Sequence, residues 1–131
     1  MNQESIKFKA IPQSTSLGSN IDFHVSFEIN KATPSLELIF LFIGDYSNQK
    51  YTFQLGTKTL TNLSLGSHDY KYTFKNNCLE EFKSNLEFLA NVAVYQLQFH
   101  NKSIQNSKPI LKNIVLNVKI ENSKLIQEVW K

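Results

Sequence analysis

The stretch Leu36-Glu37-Leu38-Ile39-Phe40-Leu41-Phe42-Ile43-Gly44 decides the fold. Leu38 to Ile43 is the longest unbroken apolar run in the chain. It is far shorter than the roughly 20 apolar residues a membrane-crossing helix needs. It is built of aromatic and branched residues and stops at a glycine, the pattern of a β-strand. Side chains alternate across a strand, so Leu36, Leu38, Phe40 and Phe42 share one face. Ile39, Leu41 and Ile43 share the other, which only Glu37 interrupts. Such a strand is covered on both sides, or it buries one face in its own core and offers the other to a partner.

Upstream lies the cleanest alternation in the chain. Ile21, Phe23, Val25, Phe27 and Ile29 interleave with Asp22, His24, Ser26, Glu28 and Asn30. This is a half-buried antiparallel strand whose register is fixed, because a one-residue slip would expose five large apolar groups. A weaker, edge-like strand precedes it at Ser5 to Ile11. Pro12 to Asn20 reads as a polar loop.

Downstream, Tyr51, Phe53 and Leu55 alternate with polar residues until Gly56, which is expected to break the strand. Leu60 to Leu65 is a weak strand with a turn at Gly66. Tyr70, Tyr72 and Phe74 face inward on the next strand. Leu79, Phe82, Leu86 and Leu89 fall at helical spacing, and a short helix is expected over Cys78 to Ser84. Alternation returns from Phe88 to Phe99, with Val92 and Val94 on one side and Ala93, Tyr95, Leu97 and Phe99 on the other. Ile110 to Glu121 is a long strand with Ile110, Ile114, Leu116, Val118 and Ile120 inward. Lys124 to Lys131 fits a last strand or a short helix equally well. Seven or eight short strands with one helical turn predict a single all-β domain over residues 1–131, an immunoglobulin-like antiparallel β-sandwich.

Composition narrows the function. At 131 residues, with ten Phe and five Tyr against four Gly, the chain can bury one real core without staples. All fourteen basic residues are lysines. Without arginine there is no bidentate grip on guanine edges, which argues against sequence-specific nucleic-acid reading. Cys78 is the only cysteine, so no intramolecular disulfide or cysteine metal cage forms. Met1 to Lys9 has no apolar signal-peptide core, and no amphipathic basic helix suggests a membrane surface. A nuclear or cytoplasmic protein that is not secreted is expected. His24, His68 and His100 sit at no metal-ligand spacing, and Glu80 and Glu81, adjacent on the expected helix, point apart. Nothing pairs a nucleophile with a base or cradles a phosphate. The expectation is a non-enzyme with no metal and no cofactor.

The order of these features carries a resemblance. Phe23, Phe27 and Glu28, then Leu36-Glu37-Leu38, then Phe42-Ile43-Gly44 resemble the front half of the anti-silencing-function histone chaperones. The similarity runs on through Tyr51 to Leu55, Gly66, His68, the Tyr70-Tyr72-Phe74 alternation, Val92-Ala93-Val94 and Val118 to Asn122. Leu125 to Trp130 resembles the family's closing strand. The resemblance implies an immunoglobulin-like sandwich that binds a core histone pair through an apolar sheet face. Of the family's histone contacts, the valine falls on Val94, an acidic position on Thr52 and an arginine on about Val115. An acidic pair used for other partners falls on Pro34 and Ser35, leaving Glu37 from that cluster. The candidate partner-binding residues are therefore Glu37, Thr52, Val92, Val94 and Val115.

Two other readings stand beside a histone chaperone. One is an interaction module of a larger assembly with a non-histone partner. The other is a carrier that takes a lipid between its sheets. An acidic face would favour histones, and a neutral or lysine-coated face another partner. A carrier needs an apolar cavity.

Overall fold

The computed structural model of the chain describes residues 1, 3–46, 49–77, 92–122 and 124–130, without the side chains of residues 45, 46 and 49. The alternating stretches become strands: β1 (Lys7–Ile11), β2 (Ser14–Ser16), β3 (Asn20–Ile29), β4 (Thr33–Tyr46), β5 (Gln49–Leu63), β6 (Gly66–Lys75), β7 (Val92–Asn101), β8 (Ile110–Glu121) and β9 (Lys124–Val129). A 3-10 turn at Gln3–Ser5 precedes them. The expected helix over Cys78 to Ser84, and the start of the strand expected from Phe88, lie outside the described residues.

The strands form two antiparallel sheets. One has the order β1-β3-β6, the other β2-β9-β8-β7-β4-β5. β3 beside β6 in one sheet, and β4, β7 and β8 side by side in the other, are the neighbours of an immunoglobulin-like sandwich. β9 is an addition between β8 and the short β2.

Period-two patterning explains the core. On β4, Leu36, Leu38, Phe40 and Phe42 are at most 1% exposed. They face the inward set of β3, where Ile21, Phe23, Val25, Phe27 and Ile29 are all buried. At roughly 1.5–3 kcal/mol for each large side chain removed from water, these residues anchor the two layers to each other. Aromatic rings fill the gap between the sheets. Phe23 meets Tyr95 edge-on at 5.0 Å between ring centres, and Phe40 meets Phe74 at 4.8 Å.

Four details differ from the sequence reading. Nine strands are present among the described residues, because three residues of the expected loop Pro12 to Asn20 pair with β9 as β2. Gly56 does not end a strand. The β4–β5 register shifts between Phe40 and Leu41, opposite Gly56, and β5 runs on to Leu63. A glycine inside a strand often marks such a bulge. The undecided last segment is a strand, since β8 offers it a full ladder from Leu116 to Glu121. Ile120, read as inward, is 45% exposed because it sits at the end of β8 beside the turn into β9. The expected turn at Gly66 is present, with φ at 119°, a conformation glycine adopts without strain.

Candidate functional site

The second face of β4 is turned away from the core. Ile39, Leu41 and Ile43 are half-buried there, with no described strand packed over them. Ladder registers extend this face across four strands. Ile43 stands opposite Thr52 on β5 and Val94 on β7, and Val94 stands opposite Val115 on β8. Beyond Val115, the Trp130 N–H donates to the Val115 carbonyl at 2.8 Å. Thr52, Ile43, Val94, Val115 and Trp130 thus form one row across the sheet. At a strand spacing of about 4.8 Å the row is roughly 19 Å long. Both ends of the row are open: Thr52 is exposed at one, and Val115 and Trp130 are 41% and 59% exposed at the other.

Two further rows lie alongside. Leu41 is flanked by Gln54 and Gln96, with Asn113 beyond, and Ile39 by Thr57 and Gln98, with Leu111 beyond. None of the residues in these rows is ionisable. The amides hold one another: Gln98 Nε2 donates to Gln96 Oε1 at 2.8 Å, and Gln96 Nε2 donates to Asn113 Oδ1 at 3.1 Å. His100 Nε2 lies 2.9 Å from Gln98 Oε1 and extends the chain. Polar groups already paired can be covered by a partner with little desolvation loss.

The structure therefore brings three of the five sequence-predicted residues, Thr52, Val94 and Val115, into one row. Val92 is on the same face, one step along β7, and is 39% exposed. Glu37 is apart. It is six residues along β4 from Ile43, about 20 Å in an extended strand. Lys102 Nζ is 3.4 Å from its carboxylate, so its charge is largely answered within the chain. Ile43 and Trp130 complete the row without having been singled out. Ile43 belonged to the second apolar set of β4. Trp130 could not be given a face until its segment was known to be a strand.

Other polar groups do not converge. His24 lies on the exterior of the smaller sheet. His68 is on β6 with its ring stacked beside Phe27 and Tyr70 and its Nε2 at 2.8 Å from the Ser64 carbonyl. His100 is on the larger sheet. Among the described residues no three His, Cys, Asp or Glu side chains are grouped to hold a metal ion. No described helix is long and apolar enough to cross a membrane. On the smaller sheet's exterior, the Thr73 hydroxyl holds the Asp22 carboxyl below its ordinary range against the opposing influence of burial, and Lys71 adds to the lowering. Inside, burial pushes the Tyr72 phenol up, and Tyr70 beside it adds to the shift.

No protein-family model matches the chain, and no curated protein matches it.

Proposed function

We propose that this domain is a non-catalytic protein-binding β-sandwich that seats an amphipathic helix of its partner on the outer face of the larger sheet. The row Thr52, Ile43, Val94, Val115 and Trp130 carries this reading. Its strand spacing of about 4.8 Å is close to the 5.4 Å rise of one helical turn. A helix laid along the row sets one side chain of each turn against each strand, the helix-in-groove mode of recognition. Apolar residues at the centre and charges only towards the ends are the composition of an interface.

Charge selects the class of partner. The rows are neutral, and the chain carries a formal net charge of +3. A neutral apolar stripe on a subunit of a larger assembly fits such a face. Core histones are strongly basic and gain no long-range attraction from it. They remain the second reading for one reason. The positions to which the resemblance assigns the family's histone contacts, Thr52, Val94 and Val115, are the ones in the row. Both readings suit a nuclear or cytoplasmic protein, where the single thiol of Cys78 stays reduced.

A photo-crosslinking residue at Val115, with one at His24 on the opposite exterior as control, tests the proposal in cells that make the protein. The expected result is a protein joined to Val115 and not to His24, whose purified form binds the wild type and not Val94→Asp. Equal capture at both positions, or binding indifferent to Val94→Asp, overturns the reading. Core histones run alongside decide the second reading. Retention at physiological salt that Val94→Asp abolishes would make them the partner.

A further inference from the structure

The smaller sheet ends in β1 and β6, and the larger in β2 and β5. These four edges are unequal. β1 has five residues and runs into Pro12, which has no N–H to offer. β2 has three residues. β5 is long, but its ladder with β4 shifts register opposite Gly56. Short strands, prolines and bulges are the devices that keep an edge from pairing with another chain. β6 has none of them. Its ten residues, Gly66–Lys75, pair with β3 without a shift and include no proline. Along the side of β6 away from β3, the outward N–H and C=O groups meet no strand among the described residues.

The side chains of β6 are complementary to a second copy of the same strand. On its core side, His68, Tyr70, Tyr72 and Phe74 are only half-buried, since β6 stands at the open flank of the sandwich. On its outer side, Asp69 and Lys71 are exposed two positions apart. Two copies of β6 set antiparallel about a two-fold axis at Tyr70 place Asp69 of each opposite Lys71 of the other. Tyr70 then meets Tyr70, and residues 66–74 form the ladder. An axis at Asp69 or Lys71 sets like charges face to face, which is destabilising. An axis at Tyr72 shortens the ladder to residues 69–75, and a one-residue slip sets rings against charges. A lysine on a free edge ordinarily repels another chain, but in the Tyr70 register it meets an acid. Both groups are held in place: Lys71 Nζ is 3.4 Å from Asp22, and Asp69 Oδ1 accepts the Ser26 hydroxyl. An ammonium has three donors and a carboxylate several lone pairs, so each has capacity for a second partner.

We propose that the domain binds a second copy of itself through β6, joining two three-stranded sheets into one continuous sheet about a two-fold axis at Tyr70. Both copies use the same strand, so the contact closes on itself as a dimer and does not propagate into a fibre. It shares no residue with the row Thr52, Ile43, Val94, Val115 and Trp130 on the larger sheet.

Sedimentation equilibrium of the whole chain over a wide concentration range, with amide hydrogen exchange at both ends of that range, tests the inference. A monomer–dimer equilibrium is expected, and exchange at high concentration should slow on β6 and not on β5. Asp69→Lys and Lys71→Asp each set like charges opposite one another at two places in the dimer. Each should weaken self-association at least about tenfold. Mixed together, the two variants should pair with each other within about threefold of the wild-type affinity, because opposite charges then meet at both places. Urea unfolding checks that both exposed substitutions leave the monomer folded. A monomer at every concentration, slowed exchange centred on Val115 or β5, wild-type self-association by Lys71→Asp, or no recovery in the mixture would each overturn the proposal.

Discussion

Tyr95 on β7 donates a hydrogen bond from its hydroxyl to Gln127 Oε1 on β9, across the intervening strand β8. Both residues are buried, at 1% and 3% exposure. The bond fastens the last strand to the middle of the sheet from the core side. Three residues further on, Trp130 joins the apolar row on the other face. A buried hydrogen bond that loses one partner costs about 1–3 kcal/mol, whereas replacing both partners by apolar groups costs less. Tyr95→Phe and Gln127→Leu should each lower the stability measured by urea unfolding by about that amount. The double variant should lose less than the sum, with a coupling of about 1 kcal/mol. Strict additivity would show that the two groups do not support each other.

Gly56 and Phe74 are a second such pair. A methyl group built on Gly56 would overlap the Phe74 ring at Cε1. That ring is wedged against Phe23 and Phe40, so it has little room to turn away. The bulge in the β4–β5 ladder and the close approach of β5 to β6 therefore share one cause, the missing side chain at Gly56. Gly56→Ala should destabilise the domain by about 1–3 kcal/mol, the usual effect of overpacking. Gly56→Ala combined with Phe74→Leu should recover part of the loss. Thermal unfolding of both variants checks this, and an unchanged melting temperature for Gly56→Ala would refute it.

Asp22 gives the fold a pH dependence of known sign. The Thr73 hydroxyl donates to its carboxylate at 2.5 Å, and Lys71 Nζ lies 3.4 Å away. Both hold its pKa below the ordinary carboxylate range in the folded state. The unfolded chain therefore takes up the proton first. The stabilising contribution is complete above the ordinary Asp pKa of about 3.9 and is lost as pH falls through the lower folded value. The advantage of the wild type over Asp22→Asn in urea midpoint should be constant from about pH 7 to pH 5 and shrink below about pH 4. A difference that persists unchanged to about pH 2 would mean that the carboxylate is not perturbed.

The two layers were legible because their signals are local. Alternation over Ile21 to Ile29 and Leu36 to Phe42 states which side chains go inward, and burial follows that statement residue by residue. What was not legible depends on partners distant in the chain. The β2 stretch, Ser14-Thr15-Ser16, has no apolar pattern, and only the edge of β9 makes it a strand. Gly56 read as a stop because its reason, the Phe74 ring, is eighteen residues away in sequence. Trp130 had no assignable face while strand and helix remained equal for its segment.

The two faces of β4 make the sharpest contrast. Leu38 and Leu41 are the same residue type three positions apart on one strand, pointing to opposite sides. Leu38 is 0% exposed against the smaller sheet, while Leu41 is half-buried among Gln54 and Gln96. Leu38→Ala leaves a cavity that a close-packed core cannot refill and should lower stability by about 2–5 kcal/mol. Leu41→Ala removes a group that water and the flanking glutamines can replace, and should lower stability by only about 1 kcal/mol or less. Partner binding should follow the opposite order. At temperatures where both variants are folded, Leu38→Ala should keep the affinity of the wild type within about twofold, and Leu41→Ala should weaken it about tenfold, the effect of one lost interface anchor of about 1.4 kcal/mol. Urea unfolding paired with titration of the crosslinked partner measures both quantities. Loss of binding that merely tracks loss of stability across the two variants would show that the outer face of β4 has no recognition role of its own.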